Sequence, residues 1–273
     1  MNLPLLTLKA IIFDWAGTTI DYGSVAPTHV VVEVFRRRGV ELSREEARGP
    51  MGKAKRDHLA DVMALPRVSA LWTQIFGRVP KESDIDELYS QFLPLQKSTL
   101  SQHCDVIPGV QSVVAECRRR GLKIGATTGY TQELMDVVTP LARQNGYAPD
   151  VSVCTDDVPR GRPAPWMLFR AAEALNVFPM ASIVAVDDTC VGIEAGRNAG
   201  AWTVAVTRTG NALGLPLDAV QRLSPSELTS KLDSAAREFR AAGADFVIEG
   251  VEQLIPVLDE INCRLQASES PRL

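Results

Sequence analysis

The chain has 273 residues, of which 45% are hydrophobic and 23% charged; this excludes a disordered or fibrous protein and leaves room for one large domain or two of unequal size. A net charge of −4 at pH 7 supplies no basic field for nucleic acid or an anionic membrane surface, so an anionic ligand has to be held by local cations. No apolar run approaches the length of a membrane span. In chain order, the segment Met1-Asn2-Leu3-Pro4 carries no basic region of a signal peptide, and a cytoplasmic protein is expected. The first predicted element is the apolar run Ala10-Ile11-Ile12-Phe13, a buried parallel strand that ends on Asp14-Trp15-Ala16-Gly17-Thr18-Thr19. Ligands of open α/β sheets bind at the carboxyl ends of strands, so Asp14 is expected at the mouth of a site, with the Gly-Thr-Thr backbone and hydroxyls available to a phosphate.

From Ser24 to about Gln102 the pattern is helical. Pro27 is expected to open a helix that stops at Gly39, and Ser43-Arg44-Glu45-Glu46 has the spacing of a capping box. Further helices are predicted over 55–64, 69–76 and 84–102, with Pro94 kinking or dividing the last. After Pro108-Gly109 strands and helices alternate, with strands predicted at 122–127, 151–154, 183–186, 203–206 and 246–248. Alternation of this kind predicts βαβ units in a Rossmann-like, doubly wound parallel sheet to which the first strand also belongs. The expected organisation is an α/β core over 1–23 and 103–273, with a small α-helical module inserted over 24–102. The end from Ser268 to Leu273 is expected to fray. Cys104, Cys117, Cys154, Cys190 and Cys263 have no metal or redox spacing and read as reduced thiols.

Three further features fall at predicted strand ends. Thr127-Thr128-Gly129-Tyr130 follows the second strand; Thr128 is the candidate oxyanion binder because the glycine behind it lets backbone approach a ligand. Its structural alternative is a capping threonine for the helix that follows. Arg160-Gly161-Arg162-Pro163 places Arg162 in a loop, either as a forked oxyanion contact or as an ordinary solvated charge. Asp187-Asp188-Thr189 follows the strand 183–186, either as an acidic turn or as a carboxylate source for a metal.

In this order the four features resemble the motifs of the haloacid dehalogenase superfamily, in which a nucleophilic aspartate opens the signature D-x-D-G-T and forms an aspartyl-phosphate. The resemblance implies that Asp14 is the nucleophile, that Thr128 and Arg162 hold the transferring phosphoryl group, and that Asp14, the carbonyl of Ala16 and Asp188 bind Mg²⁺. Ala16 stands where the second aspartate belongs. In the phosphatases of the superfamily that carboxylate protonates a departing alcohol oxygen, so its absence argues against an ordinary alkoxide leaving group. The family pattern also has glycine before the metal aspartate and an acid four residues after it; here these are Asp187 and Gly192.

Within the helical module, Pro50-Met51-Gly52-Lys53-Ala54-Lys55-Arg56-Asp57-His58, taken with Asp-Trp-Ala-Gly-Thr, resembles the phosphonatase branch, the phosphonoacetaldehyde hydrolases. The resemblance extends over nearly the whole chain and includes 156–159, 161–163, 165–167 and 196–200. It implies that Lys55, at the family's M-G-x-x-K spacing, forms a Schiff base with an aldehyde, and that Met51 and His58 line the imine-forming site. On residue type alone, Met51 is more readily core packing and His58 more readily a satisfied helix-surface histidine. Lys53 lies two residues away, which on a helix points about 200° from Lys55. The lysine has to be neutral part of the time, through burial or through Lys53, Arg56 and His58 as neighbouring cations. The implied substrate is a small phosphonate and the implied assembly a homodimer. A phosphate-ester phosphatase or phosphomutase remains as an alternative, disfavoured by Ala16. So does a non-catalytic binding module, against which the ordered set Asp14, Thr128, Arg162 and Asp188 argues.

Overall fold

Strand β1 (Ala10–Asp14) is buried along its length, and side chains that alternate along it serve two separate cores. Ile11 and Phe13 point into one hydrophobic cluster, Ala10 and Ile12 into another, as the two-residue period of a strand in a covered sheet requires. The computed structural model describes residues 6–272, so the reading of Met1 to Pro4 lies outside the described residues. Helices α1 (Val25–Arg36), α2 (Arg44–Arg48), α3 (Lys55–Ala64), α4 (Pro66–Phe76) and α5 (Glu82–Leu100) come next. The chain then alternates through α6 (Val110–Arg119), β2 (Lys123–Thr127), α7 (Gln132–Gln144), β3 (Val151–Val153), α8 (Trp166–Ala174), β4 (Ile183–Asp187), α9 (Cys190–Ala199) and β5 (Trp202–Val206). It ends with α10 (Leu217–Gln221), α11 (Pro225–Ala241), β6 (Phe246–Ile248) and α12 (Leu254–Gln266).

The strands form one six-stranded sheet in the order β3-β2-β1-β4-β5-β6, and every pairing is parallel. The expected doubly wound α/β architecture is therefore the observed one. Successive strands first run outward from β1 through β2 to β3, then resume on its other side with β4. That reversal opens the crevice in which such sheets bind ligands. Register places Asp14 directly opposite Thr127 of β2, and Phe13 opposite Val186 of β4, so Asp187 ends the neighbouring strand at the same edge. Helices α6, α7 and α12 pack on the face served by Phe13, whereas α8 and α9 cover the face served by Ile12.

Helices α1 to α5 share a third hydrophobic cluster, with Phe35, Leu59, Trp72, Leu88 and Phe92 fully or almost fully buried in it. Each such side chain contributes on the order of 1.5–3 kcal/mol by leaving water. The capping box at Ser43 and Glu46 forms as expected. Three local expectations are corrected. Helix α4 starts at Pro66, not Ser69, because proline at the first helical position forfeits only a donor that has no helical partner there. Pro94 does not divide α5, which continues as one helix to Leu100; Phe92 on one side of the proline and Leu100 on the other are each buried in a hydrophobic cluster, and that packing outweighs the lost helical bond. Within the segment expected to fray, residues 271 and 272 are docked, with Pro271 buried and the Arg272 N–H donating to Asp245 Oδ1 at 3.3 Å; Leu273 lies outside the described residues. Among the described residues no helix is long and apolar enough to cross a membrane.

Candidate active site

The loop after β1 turns sharply back: Thr18, Thr19 and Ile20 all donate their N–H groups to the carbonyl of Trp15. The left-handed Gly17 (φ +93°) permits this turn, and a Cβ there would lie 2.2 Å from an Asp188 oxygen. Asp14 is left at the strand end, buried, with Arg162 Nη2 2.7 Å from its Oδ1. The same nitrogen donates to the Thr127 hydroxyl at 2.8 Å and the Thr127 carbonyl at 3.1 Å. Arg162 is thus no solvated loop charge; it is fixed by the end of β2 over the end of β1. Thr128 does not cap α7, whose N-cap is Thr131. It is buried, and its hydroxyl accepts the Tyr130 N–H at 3.1 Å.

Asp188 follows β4, where its Oδ1 accepts from Thr18 Oγ1 at 3.2 Å and its Oδ2 from the Asn211 N–H at 2.6 Å. Asp187 accepts both the Thr189 N–H (2.9 Å) and hydroxyl (2.7 Å), and its other oxygen lies 3.4 Å from Arg162. The departures at 187 and 192 are one spatial fact. A Cβ on Gly192 would lie 2.0 Å from the Asp187 carboxyl carbon, so the carboxylate of Asp187 occupies the space a side chain at 192 would need. Oxygens of Asp14, Asp187 and Asp188 lie within 4.8 Å of one another, all three residues buried. Burial pushes the Asp14 carboxyl up to about 6 against the opposing pull of Arg162. Burial, then the charges of Asp14 and Asp187, push Asp188 well up. A compact set of hard oxygen donors with excess negative charge fits a divalent cation such as Mg²⁺.

The helical layer supplies the opposite wall. The turn before α3 carries Met51 and Gly52, and α3 begins at Lys55, whose side chain is buried. Its Nζ lies 5.2 Å from the centre of the Tyr130 ring. Asp14, Ala16, Met51, Lys55, Thr128 and Arg162 line one cavity of about 20 Å³, together with Ser24 and Tyr130. Residues predicted from two distant parts of the sequence are therefore brought together. Burial lowers the Lys55 amine to about 8; Arg162 lowers it too, while Asp14, Asp188 and Asp21 oppose the shift.

Lys53 and Arg56 are engaged elsewhere, and neither supplies the depressing charge. Lys53 precedes α3 and pairs with Asp61, while Arg56 pairs with Glu82 and Asp86. What separates the two lysines is the loop that precedes the helix, not a rotation along it. His58 is fully buried one turn beyond Lys55 and is not among the cavity-lining residues. Its Nε2 lies 2.8 Å from the Ala47 carbonyl and must donate to it, leaving Nδ1 as a buried lone pair without a partner. Burial and then Lys55 lower its pKa to about 3, so the ring is neutral.

Sequence reasoning missed Thr127 as the seat of Arg162, Tyr130 beneath Lys55, and Asn211 behind Asp188. The first two stand beside Thr128 at a predicted strand end and could have been found by proximity. Asn211 sits in an aperiodic loop with no local signal.

A family model described as haloacid dehalogenase-like hydrolase matches residues 8–200. Over 264 residues the chain is 46% identical to the phosphonoacetaldehyde hydrolase of Paraburkholderia xenovorans, covering 97% of this chain and 99% of that protein. It is 45% identical over 254 residues to the bifunctional phosphonoacetaldehyde hydrolase/aminoethylphosphonate transaminase of Clostridioides difficile, of whose length it spans 40%. The crystal structure of a phosphonoacetaldehyde hydrolase-like protein from Oleispira antarctica superposes with a TM-score of 0.96 at 38% identity, covering 99% of both chains. With the ordered motifs at one sheet edge and a lysine opposed to them, these similarities show that the chain belongs to the phosphonoacetaldehyde hydrolase family of the haloacid dehalogenase-like hydrolases.

Proposed function

We propose that the chain hydrolyses the P–C bond of phosphonoacetaldehyde to acetaldehyde and inorganic phosphate, through an imine on Lys55 and an aspartyl-phosphate on Asp14. The observation that carries this reading is that Lys55 and Asp14, from opposite walls, line one small cavity with a methyl group at position 16 where an alcohol leaving group would need an acid.

A P–C bond has no leaving oxygen, so direct cleavage would expel a poorly stabilised carbanion. Condensation of the Lys55 amine with the aldehyde releases water and gives an iminium, which accepts the electron pair of the breaking bond as an enamine. A carboxylate oxygen of Asp14 attacks phosphorus as the P–C bond breaks. Arg162 and Thr128 stabilise the phosphoryl oxygens, and the buried site makes those contacts stronger than in water. Protonation of the enamine and addition of water release acetaldehyde and restore Lys55. Water then cleaves the aspartyl-phosphate, restoring Asp14. Neutral His58, three residues along the helix, places no competing positive charge beside the amine. Asp14, the Ala16 carbonyl and Asp188 would hold Mg²⁺, which when bound supplies charge neutralisation on the phosphoryl oxygens.

The direct test is turnover of phosphonoacetaldehyde with both products measured. Equal amounts of acetaldehyde and phosphate are expected. Asp14→Asn should lower kcat by at least about 10³-fold, since an amide cannot form the acyl phosphate, with an unchanged circular dichroism spectrum. A preference for phosphate esters, or substantial turnover by Asp14→Asn, would overturn the reading.

A further inference from the structure

Arg48 ends α2 in the helical layer, yet its guanidinium lies in a nest of carbonyl groups belonging to the other layer. Nε donates to Asn211 Oδ1 at 3.1 Å, and Nη2 donates to the carbonyls of Asn211 (2.7 Å) and Gly23 (3.0 Å). Nη1 donates to the carbonyl of Gly214. The nest is shaped to the side chain: a Cβ on the left-handed Gly214 (φ +66°) would lie 1.3 Å from Nη1. The backbone of Arg48 joins in. Its carbonyl accepts the Met51 N–H at 2.9 Å and Asn211 Nδ2 at 3.4 Å.

Each end of this assembly reaches the site. On one side Met51 and Gly52 form the turn that lines the cavity. On the other, the Asn211 N–H donates to Asp188 Oδ2 at 2.6 Å. The same loop is anchored to the β1 turn, where Thr209 Oγ1 donates to the Gly17 carbonyl at 2.8 Å and the Gly23 N–H to the Thr209 carbonyl at 2.6 Å. A guanidinium satisfied by fixed carbonyl groups in a forked pattern is a geometric lock, which a point charge such as lysine reproduces poorly.

We propose that Arg48 is a positioning residue that couples closure of the helical layer to the setting of Asp188. Docking of its guanidinium on residues 211–214 seats the Met51-Gly52 turn over the site and presents the Asn211 N–H to the carboxylate. The consequence for the metal rests on the functional reading above, in which Asp188 is a metal ligand; the coupling between the two segments does not.

The test is hydrogen exchange of the full chain, read on the segments 50–55 and 209–215, together with calorimetric titration of Mg²⁺ in the absence of substrate. Arg48→Met should speed exchange in both segments by about tenfold or more, the equivalent of one charge-assisted hydrogen bond, and weaken Mg²⁺ binding. Arg48→Lys should restore only part of the protection. Arg67→Met, which breaks the pair with Glu46 on the same helix α2, should leave both segments as they were. Where Arg48→Met does not fold, Asn211→Ala removes contacts from the other partner and should expose the same two segments. Unchanged exchange at 50–55 in the Arg48 or Asn211 variant would overturn the coupling, as would an equal effect of Arg67→Met. A wild-type protein that binds no Mg²⁺ would overturn the metal assignment instead, with the exchange measurement still deciding the role of Arg48.

Discussion

In the proposed reaction the chemistry turns on Lys55, and its environment works against its charge. Burial is the largest influence on it; Arg162 adds to the effect, the carboxylates of Asp14, Asp188 and Asp21 oppose it, and neutral His58 on the same helix contributes no cation. With the amine at about 8, about a tenth of it is neutral at pH 7, against fewer than about one in a thousand at the ordinary lysine value. The neutral form is the nucleophile, so its fraction grows as pH rises. The rate of imine formation, followed by borohydride trapping under single-turnover conditions, should therefore rise about tenfold per pH unit below 8 and level off above it. A rate still climbing steeply through pH 10 would mean an amine with an ordinary pKa. At this scale Asp14, Thr128 and Asp188 were legible as candidates because each follows an apolar run whose end can be read from the sequence, whereas Arg162 lies in a polar loop eight residues beyond Cys154 and was picked out by its place before Pro163 in the resemblance. The pairing of Asp187 with Gly192 was not legible, because it depends on a side chain filling space five residues further on.

At the scale of elements, the site depends on how closely two layers approach. A Cβ on Gly129 would lie 2.6 Å from the carbonyl oxygen of Lys53 and 3.2 Å from that of Gly52. The glycine after β2 is thus the floor on which the turn before α3 rests. Gly129→Ala should push that turn, and Lys55 with it, away from Asp14 while leaving both hydrophobic layers intact. A displacement of about 1 Å costs on the order of 10²-fold in rate, so kcat/KM is expected to fall by about that factor with little change in Tm. Wild-type kcat/KM in Gly129→Ala would show that the layers do not need this contact. Helix positions were mostly legible from capping and periodicity. The start at Pro66 was missed, and the division offered as one outcome at Pro94 does not occur, because proline marks a start in one context and is tolerated inside a well-packed helix in another; tertiary contacts decide between these outcomes.

For the molecule as a whole, the parallel direction of the strands and the doubly wound architecture followed from the alternation of strands and helices, since parallel connections leave few topologies; the order of the strands was not read from the sequence. The contacts between the helical layer and the sheet edge did not follow. A cavity of about 20 Å³ has room for little more than a water molecule; in the proposed reaction phosphonoacetaldehyde would enter as the helical layer moves off the sheet edge, and its return would bring amine and carboxylate together. The contacts that hold the layers together, such as Arg48 with Asn211, join residues 163 positions apart in segments with no periodicity to read. The central claim is that one lysine from the helical layer forms an imine over the aspartate of β1. It is tested most directly by adding borohydride with phosphonoacetaldehyde and mapping the modified peptide. A single reduced adduct on Lys55 is expected in the wild type and in Lys53→Ala, with loss of activity, and no adduct or turnover in Lys55→Arg, whose guanidinium cannot form the imine. An adduct on Lys53, or full turnover by Lys55→Arg, would contradict it.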